Sequence, residues 1–406
     1  MTTTAPSATA SSAGDATRAS SSPSGTMQGV FLPGDGTAEL RTHDVPTPGP
    51  GQVLVQVGAS GICGSDIGFI YNGYKTHKGL DGAPAYKGVV AGHEPCGRIV
   101  SSGPGVTRFG VGDDVIVYHI QGCGRCRNCR AGYFISCTDQ PHKASYGWQR
   151  DGGHAEYVLV DESTCVPLPD GLSYVDGALI ACGFGTAYEG LRRTGVHGGE
   201  DLLVVGLGPV GLAAAMLGRM LGARRVIGVE RSAERIEFVR ATGLVDDVVL
   251  ADGDAVEAVL GLTDGVGCQV TVDCSGSTPG RLTAVEAAAE WGRVGLLGEG
   301  GRLETEVSDT LLHKQLTITA SWVTSLQGME DVARMIAEGG LSPEIVVSHT
   351  LPLAEADEAY RIAAAGATGK VVLVPAGAPV RDEPATRPTT VGHAATASAD
   401  ADQPAS

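Results

Sequence analysis

Positive charge is scarce in this chain. Its 406 residues carry 29 Lys and Arg against 46 Asp and Glu, a formal net charge of −17. A nucleic-acid surface demands cations to replace counterions, and an anionic membrane surface makes the same demand. Neither partner is therefore expected. Long apolar runs are lacking too, so no helix is expected to span a bilayer. Residues 1–26 hold a single Arg and no apolar segment. No secretory signal is expected there, and a reducing cytoplasm is the expected compartment. The chain has no internal repeat and no three-residue glycine period, which excludes solenoid and collagen-like architectures.

Glycine, in contrast, is plentiful at 60 residues, and hydrophobic residues make up 42%. Such a chain has material for a core and many tight turns, and its length suggests two or three domains. Residues 1–26 and 376–406 are dominated by small and polar side chains and are expected to be disordered tails. Residues 27–182 carry alternating, β-branched segments such as Gln52–Val57, Gly97–Val100, Asp114–Val117 and Ala155–Val160, which predict a β-rich domain. Over 183–324 short apolar runs (Leu202–Val205, Arg225–Val229, Val270–Asp273, Gly292–Leu297) alternate with helical patterns. That alternation predicts a parallel sheet covered on both faces. Residues 325–375 end in a helix and the strand Lys370–Val374, which is expected to return to the first domain.

Gly206-Leu207-Gly208-Pro209-Val210-Gly211 follows a predicted strand and opens a predicted helix. In that context the three glycines form a dinucleotide-binding turn. Gly206 makes the turn, Gly208 admits a pyrophosphate, and Gly211 lets helix and strand pack. Glu230 stands nineteen residues after Gly211, at the end of the next strand, where an acid bonds the adenosine ribose. Its charge favours NAD over NADP. Arg231 and Arg235 could partly offset that preference.

Cys123, Cys126, Cys129 and Cys137 follow a C-x2-C-x2-C-x7-C spacing. Four thiolates in one short lobe suit a closed, structural zinc. A four-iron cluster is the competing metal, and free or disulfide-bonded thiols the bland alternative. Cys63, His93 and Cys182 are far apart in sequence, so spacing alone proves no site. Each could be an ordinary packing or hydrogen-bonding residue.

Taken together, CGSD at 63–66, GHE at 92–94, the four-cysteine lobe, CGFGT at 182–186 and GLGPVG at 206–211 decide the matter. The chain from about 27 to 375 resembles the zinc-containing medium-chain alcohol and polyol dehydrogenases. The resemblance implies an α/β chain: a doubly wound Rossmann sheet plus a β-rich, GroES-like catalytic domain. It implies two zinc ions per chain. Cys63, His93 and Cys182 would ligate the catalytic one, with Glu94 an acid able to approach it during ligand exchange. Asp66 would orient His93, and Ser65 would accept the substrate proton. Thr186 and Val210 match positions packing on the nicotinamide. A homodimer or homotetramer is implied as well.

Three departures from the family pattern stand out. Gly68 replaces a His that often continues the proton path, leaving His77, His119 and His154 as candidate substitutes. Gly64 replaces an Arg common at the pyrophosphate. Cys182 follows the alcohol rather than the polyol branch. His119 falls near an apolar pocket position and would suit a polar substrate. Secondary or polyhydroxy alcohol oxidation with NAD is the expected activity. Reduction of aldehydes with NADPH, or oxidation of a threonine-type amino alcohol, is the alternative. A non-catalytic nucleotide-binding protein would be expected to have lost the zinc ligands.

Overall fold

The structure is a computed structural model that describes residues 23–76 and 85–381. Of the expected tails 1–26 and 376–406, residues 1–22 and 382–406 lie outside the described residues, as does His77. At both inner ends structure extends further than the sequence predicted. Thr26 opens the first strand opposite Asp44. Residues 376–381 also belong to the fold, because Arg381 donates to the Leu172 and Leu168 carbonyls at 3.0 and 3.2 Å and pairs with Asp114 at 3.4 Å.

Two large sheets organise the molecule. The first is built around Gln52–Gly61, which pairs antiparallel with Glu94–Ser102, Tyr157–Asp161 and Lys370–Val374. Its alternating Val side chains bury one face at Val53, Val55 and Val57, which pack with Ile99, Val115 and Val158. The C-terminal segment thus adds Val347–Pro352 and Lys370–Val374 to a sheet begun near the N-terminus. The second sheet has six parallel strands. Across the sheet they run Asp247–Leu250, Arg225–Glu230, Asp201–Val205, Cys268–Asp273, Ala288–Leu296 and Thr317–Ala320. Numbered along the chain, that is the 3-2-1-4-5-6 order of a doubly wound dinucleotide-binding sheet. Asp201–Val205 is buried along its whole length, as a central parallel strand must be.

Helix starts in the second unit carry the expected signals. Pro209 opens the helix Pro209–Met220, where its missing N–H costs nothing. The Ser232 hydroxyl accepts the Arg235 N–H at 3.2 Å and caps Ala233–Thr242. Three π-helical turns escaped the sequence reading: Val307–Leu312, and the pair Ile67–Tyr71 and Ile180–Phe184. Of the pair, one follows Cys63 and the other contains Cys182, in keeping with the tendency of such turns to mark functional sites.

Candidate active site and metal centres

The structure gathers Cys63, His93, Glu94 and Cys182 so that one ligand atom from each lies within 4.8 Å of the others. Cys63 ends the loop after the central strand. His93 and Glu94 enter the neighbouring strand, and Cys182 comes from the π-helical turn. The buried Asp66 carboxylate organises the group. Its Oδ1 accepts from His93 Nδ1 at 2.8 Å and from Trp148 Nε1 at 3.0 Å, while Oδ2 accepts from the Cys63 N–H at 3.2 Å. A carboxylate takes the Nδ1 proton, so His93 presents Nε2 to the cluster. The Cys182 thiol stabilises a Cys63 thiolate and holds Cys63 well below the usual thiol range. Two sulfurs and one imidazole leave a fourth position, the donor set of an open zinc site.

Glu94 is fully buried and forms an ion pair with Lys370, itself 3% exposed. Burial raises the Glu94 carboxyl to about 7 against the pull of the Lys370 ammonium. Gly61 makes room for this pair: a Cβ there would stand 2.1 Å from Glu94 Oε2 and 2.8 Å from Lys370 Cε. Lys370 was legible only as the head of an apolar strand, and Trp148 only as part of a loop. Neither carried a sequence signal of its contact with the site. Ser65 is half-buried, one residue before Asp66.

Of the candidate proton carriers, His154 is ruled out by its surroundings. It is fully buried, its Nε2 donates to the Gly61 carbonyl at 3.1 Å, and its Nδ1 accepts from the Tyr360 hydroxyl at 2.9 Å. His119 is no surface residue either. It is 6% exposed, its ring lies 5.0 Å from that of His93, and its Nδ1 donates to the Ala181 carbonyl at 3.0 Å.

Burial lowers the His154 pKa to about 4, against an ordinary value near 6.5. The unfolded chain then binds a proton between those limits that the folded chain refuses. Stability should therefore be complete above pH ~6.5 and fall as the pH drops toward ~4, by about 3 kcal/mol from this residue. Denaturant midpoints from pH 7 to 4.5 test this. The slope against pH should flatten in His154→Phe, whatever that variant loses at pH 7. An unchanged slope would place the acid sensitivity elsewhere.

In the second metal group, one sulfur each of Cys123, Cys126, Cys129 and Cys137 lies within 4.8 Å of the others. The Cys123 and Cys129 sulfurs are 4.0 Å apart. Tetrahedral Zn–S bonds of about 2.3 Å put sulfurs roughly 3.8 Å apart, so the lobe fits one ion. Four thiolates on separate irons of a cubane would stand wider. Cys126 Sγ accepts the Cys129 N–H at 3.4 Å, and this bond brings the thiol down to about 5.

At the glycine turn, Gly206 has φ +87°, and a Cβ there would meet Ser275 at 2.7 Å. A Cβ on Gly211 would stand 1.9 Å from the Gly206 carbonyl oxygen. Gly208 is different, because its nearest neighbour would be Arg235 at 3.7 Å. No protein contact requires glycine there. Glu230 is 4% exposed. Its carboxylate accepts from the backbone N–H groups of Leu207, Arg231 and Ser232 at 2.8–3.0 Å and faces Arg235 at 3.5 Å. Arg235 also donates to the Thr368 carbonyl at 3.2 Å and to that of Gly366. Val210 and Thr186 are half-buried near the starts of their helices. A cleft of about 180 Å³ joins the two sites, lined by Cys63, Gly64, Pro209, Arg235, Gly366 and Lys370.

Residues 49–170 match the alcohol dehydrogenase GroES-like domain, and residues 209–338 match the zinc-binding dehydrogenase domain. An uncharacterized zinc-type alcohol dehydrogenase-like protein of Escherichia coli K12, YphC, is 49% identical over 86% of this chain and 98% of its own length. The chain belongs to the zinc-containing medium-chain alcohol dehydrogenases. Among further relatives of this dehydrogenase, a sorbitol dehydrogenase of Halalkalibacterium halodurans is 29% identical over 84% of this chain and 97% of its own. An L-threonine 3-dehydrogenase of Pyrococcus horikoshii is 32% identical over 84% and 96%. A crystal structure of a zinc-binding dehydrogenase from Sinorhizobium meliloti 1021 bound to NADP superposes with a TM-score of 0.76. It is 29% identical and covers 86% of this chain and 100% of its own. Among the described residues no helix is long and apolar enough to cross a membrane.

Proposed function

We propose that this dehydrogenase oxidises a secondary or polyhydroxy alcohol with NAD, using one catalytic and one structural zinc per chain. The observation that carries the reading is the cleft running from Cys63 to Pro209. It sets a metal-ligand cluster and a dinucleotide turn on one cavity, as hydride transfer between substrate and nicotinamide requires. Bound by Cys63, His93 and Cys182, zinc would supply the Lewis acidity that lets an alcohol lose its proton near neutral pH.

The chain's own residues do the remaining work. Asp66 fixes the His93 tautomer and, through the Cys63 N–H, the loop that carries Cys63. Ser65 takes the hydroxyl proton and passes it on. The buried Glu94–Lys370 pair holds a carboxylate beside the ligands without leaving it unpaired. Glu230 receives the adenosine ribose, and its charge disfavours a 2′-phosphate. Arg235 lies against it and moderates that preference. Two copies would meet along Thr317–Ala320, the open edge of the parallel sheet, near the exposed Trp291 and Leu312.

The test is NADH formation by zinc-loaded protein with sugar alcohols, simple primary and secondary alcohols, and threonine, each with NAD and NADP. A sugar-alcohol signal with NAD is expected, from a species that sediments as a dimer or tetramer. Turnover of threonine alone, or with NADP alone, would overturn the substrate or the cofactor assignment respectively.

A further inference from the structure

We propose that Lys143 and Trp322 form the outer wall of the substrate cleft and select an alcohol that also carries an acidic group, a carboxylate or a phosphate. The inference rests on the dehydrogenase reading above and names the substrate class of that same site.

The two residues face each other from different units of the molecule. Lys143 immediately precedes Ala144–Ser145, which pair with Ile120–Gln121. The Tyr146 N–H donates to the His119 carbonyl at 2.9 Å. Lys143 therefore belongs to the same small ribbon as His119, whose ring packs on His93. Trp322 stands two residues beyond Thr317–Ala320, at the carboxyl end of the parallel sheet, where open α/β sheets bind their ligands. The Tyr118 hydroxyl donates to the Thr324 carbonyl at 2.7 Å and ties the two sides together beside His119. Further along, Lys143 Nζ lies 6.0 Å from the Trp322 ring centroid.

The segment that presents Trp322 is built at a cost. Val323 is β-branched yet has φ +61° and is buried. Such a residue persists in the left-handed region only where its surroundings enforce it, and these strained positions gather at ligand clamps. The twist leaves Trp322 49% exposed between the buried Ser321 and Val323. The hydroxyls of Ser321 and Thr324 are buried without a hydrogen-bond partner among the described residues. Two unsatisfied hydroxyls flanking a strained turn are an arrangement that a polar ligand completes.

Lys143 supplies the sign of the ligand. The chain has 17 more acidic than basic residues. Yet among the described residues no carboxylate forms an ion pair with this half-buried ammonium. A partly desolvated ammonium gains more from an anionic oxygen than from a neutral hydroxyl. As a point charge it accepts carboxylate and phosphate alike. The indole face covers the carbon chain between that group and the reacting alcohol.

Sorbitol, gluconate and sorbitol 6-phosphate distinguish the possibilities, assayed with NAD and titrated calorimetrically into the NAD-loaded enzyme. One of the two acids should have the lower KM and Kd, and which one it is separates carboxylate from phosphate. Lys143→Ala should raise both constants for that acid about tenfold or more. It should leave kcat, and the KM for sorbitol, within about twofold, and Lys143→Arg should recover most of the loss. The proposal is overturned if sorbitol is preferred to both acids, or if Lys143→Ala weakens all three substrates equally. Absence of turnover with every alcohol would count against the dehydrogenase reading instead. The calorimetric preference and its loss in Lys143→Ala would still decide the role of the wall.

Discussion

On the proposed two-zinc reading, replacing Cys63 with serine is expected to cut turnover by at least about 10³-fold while one of the two metal ions per chain is lost. The size follows from what the open site supplies. Lewis-acid stabilisation of developing charge is worth several kcal/mol, and each ~1.4 kcal/mol is tenfold in rate. The fold should survive, because Cys63 is half-buried at the mouth of the cleft and packs into no core cluster. Thermal unfolding should therefore move little. Asp66→Asn provides the graded comparison. It keeps the side chain's shape but loses the charge that holds His93 Nδ1–H, and such changes around a metal ligand cost about 10–100-fold. Retained activity in Cys63→Ser would show that the cluster does not do the chemistry.

What could be read in advance divides along physical lines. The four inner strands of the parallel sheet were legible because they are short apolar runs, a pattern that burial on both faces imposes, whereas the more exposed outer strands Asp247–Leu250 and Thr317–Ala320 lack it. The glycine turn was legible because backbone geometry at Gly206 and Gly211 excludes any side chain. Cys63, His93 and Cys182 became readable only together, since three residues spread over 119 positions have no local signal. Contacts made by ordinary residues at long range stayed hidden. Lys370 heads an apolar strand, and nothing local says that the strand returns beside Glu94. Trp148 lies in a loop whose path decides that its indole N–H reaches Asp66. His154 looked free to carry protons because a sequence does not show Tyr360 closing on one ring nitrogen and the Gly61 carbonyl on the other. The anchoring of residues 376–381 was not legible, because it depends on a single arginine, Arg381, which finds two carbonyls and Asp114 in a stretch otherwise poor in anchoring side chains.

Loss of the four-cysteine lobe should reach the substrate cleft. Inside the lobe only Cys129, Phe134, Ile135 and Cys137 are buried, too little apolar surface to hold a loop of this length by itself. An ion bound by the four thiolates would supply the missing free energy, since metal binding at such a site is folding free energy. Cys126→Ser should release that ion and lower Tm by roughly 10 °C, about what several kcal/mol produces in a chain of this size. The effect should not stop there. The Gly132 carbonyl accepts the Leu326 N–H at 2.9 Å, and the Tyr133 hydroxyl donates to Glu189 at 3.2 Å. The first of these bonds holds the start of the helix Leu326–Glu338, three residues after the strained Val323. Without it the strain at Val323 can relax, and Trp322 loses its fixed position. KM for substrate should then rise several-fold at temperatures where the variant is still folded, with the catalytic ion still bound. Metal analysis, thermal unfolding and KM measured on one preparation test all three consequences. If Cys126→Ser releases its ion and lowers Tm but keeps the parent KM, the lobe stabilises the chain without shaping the cleft.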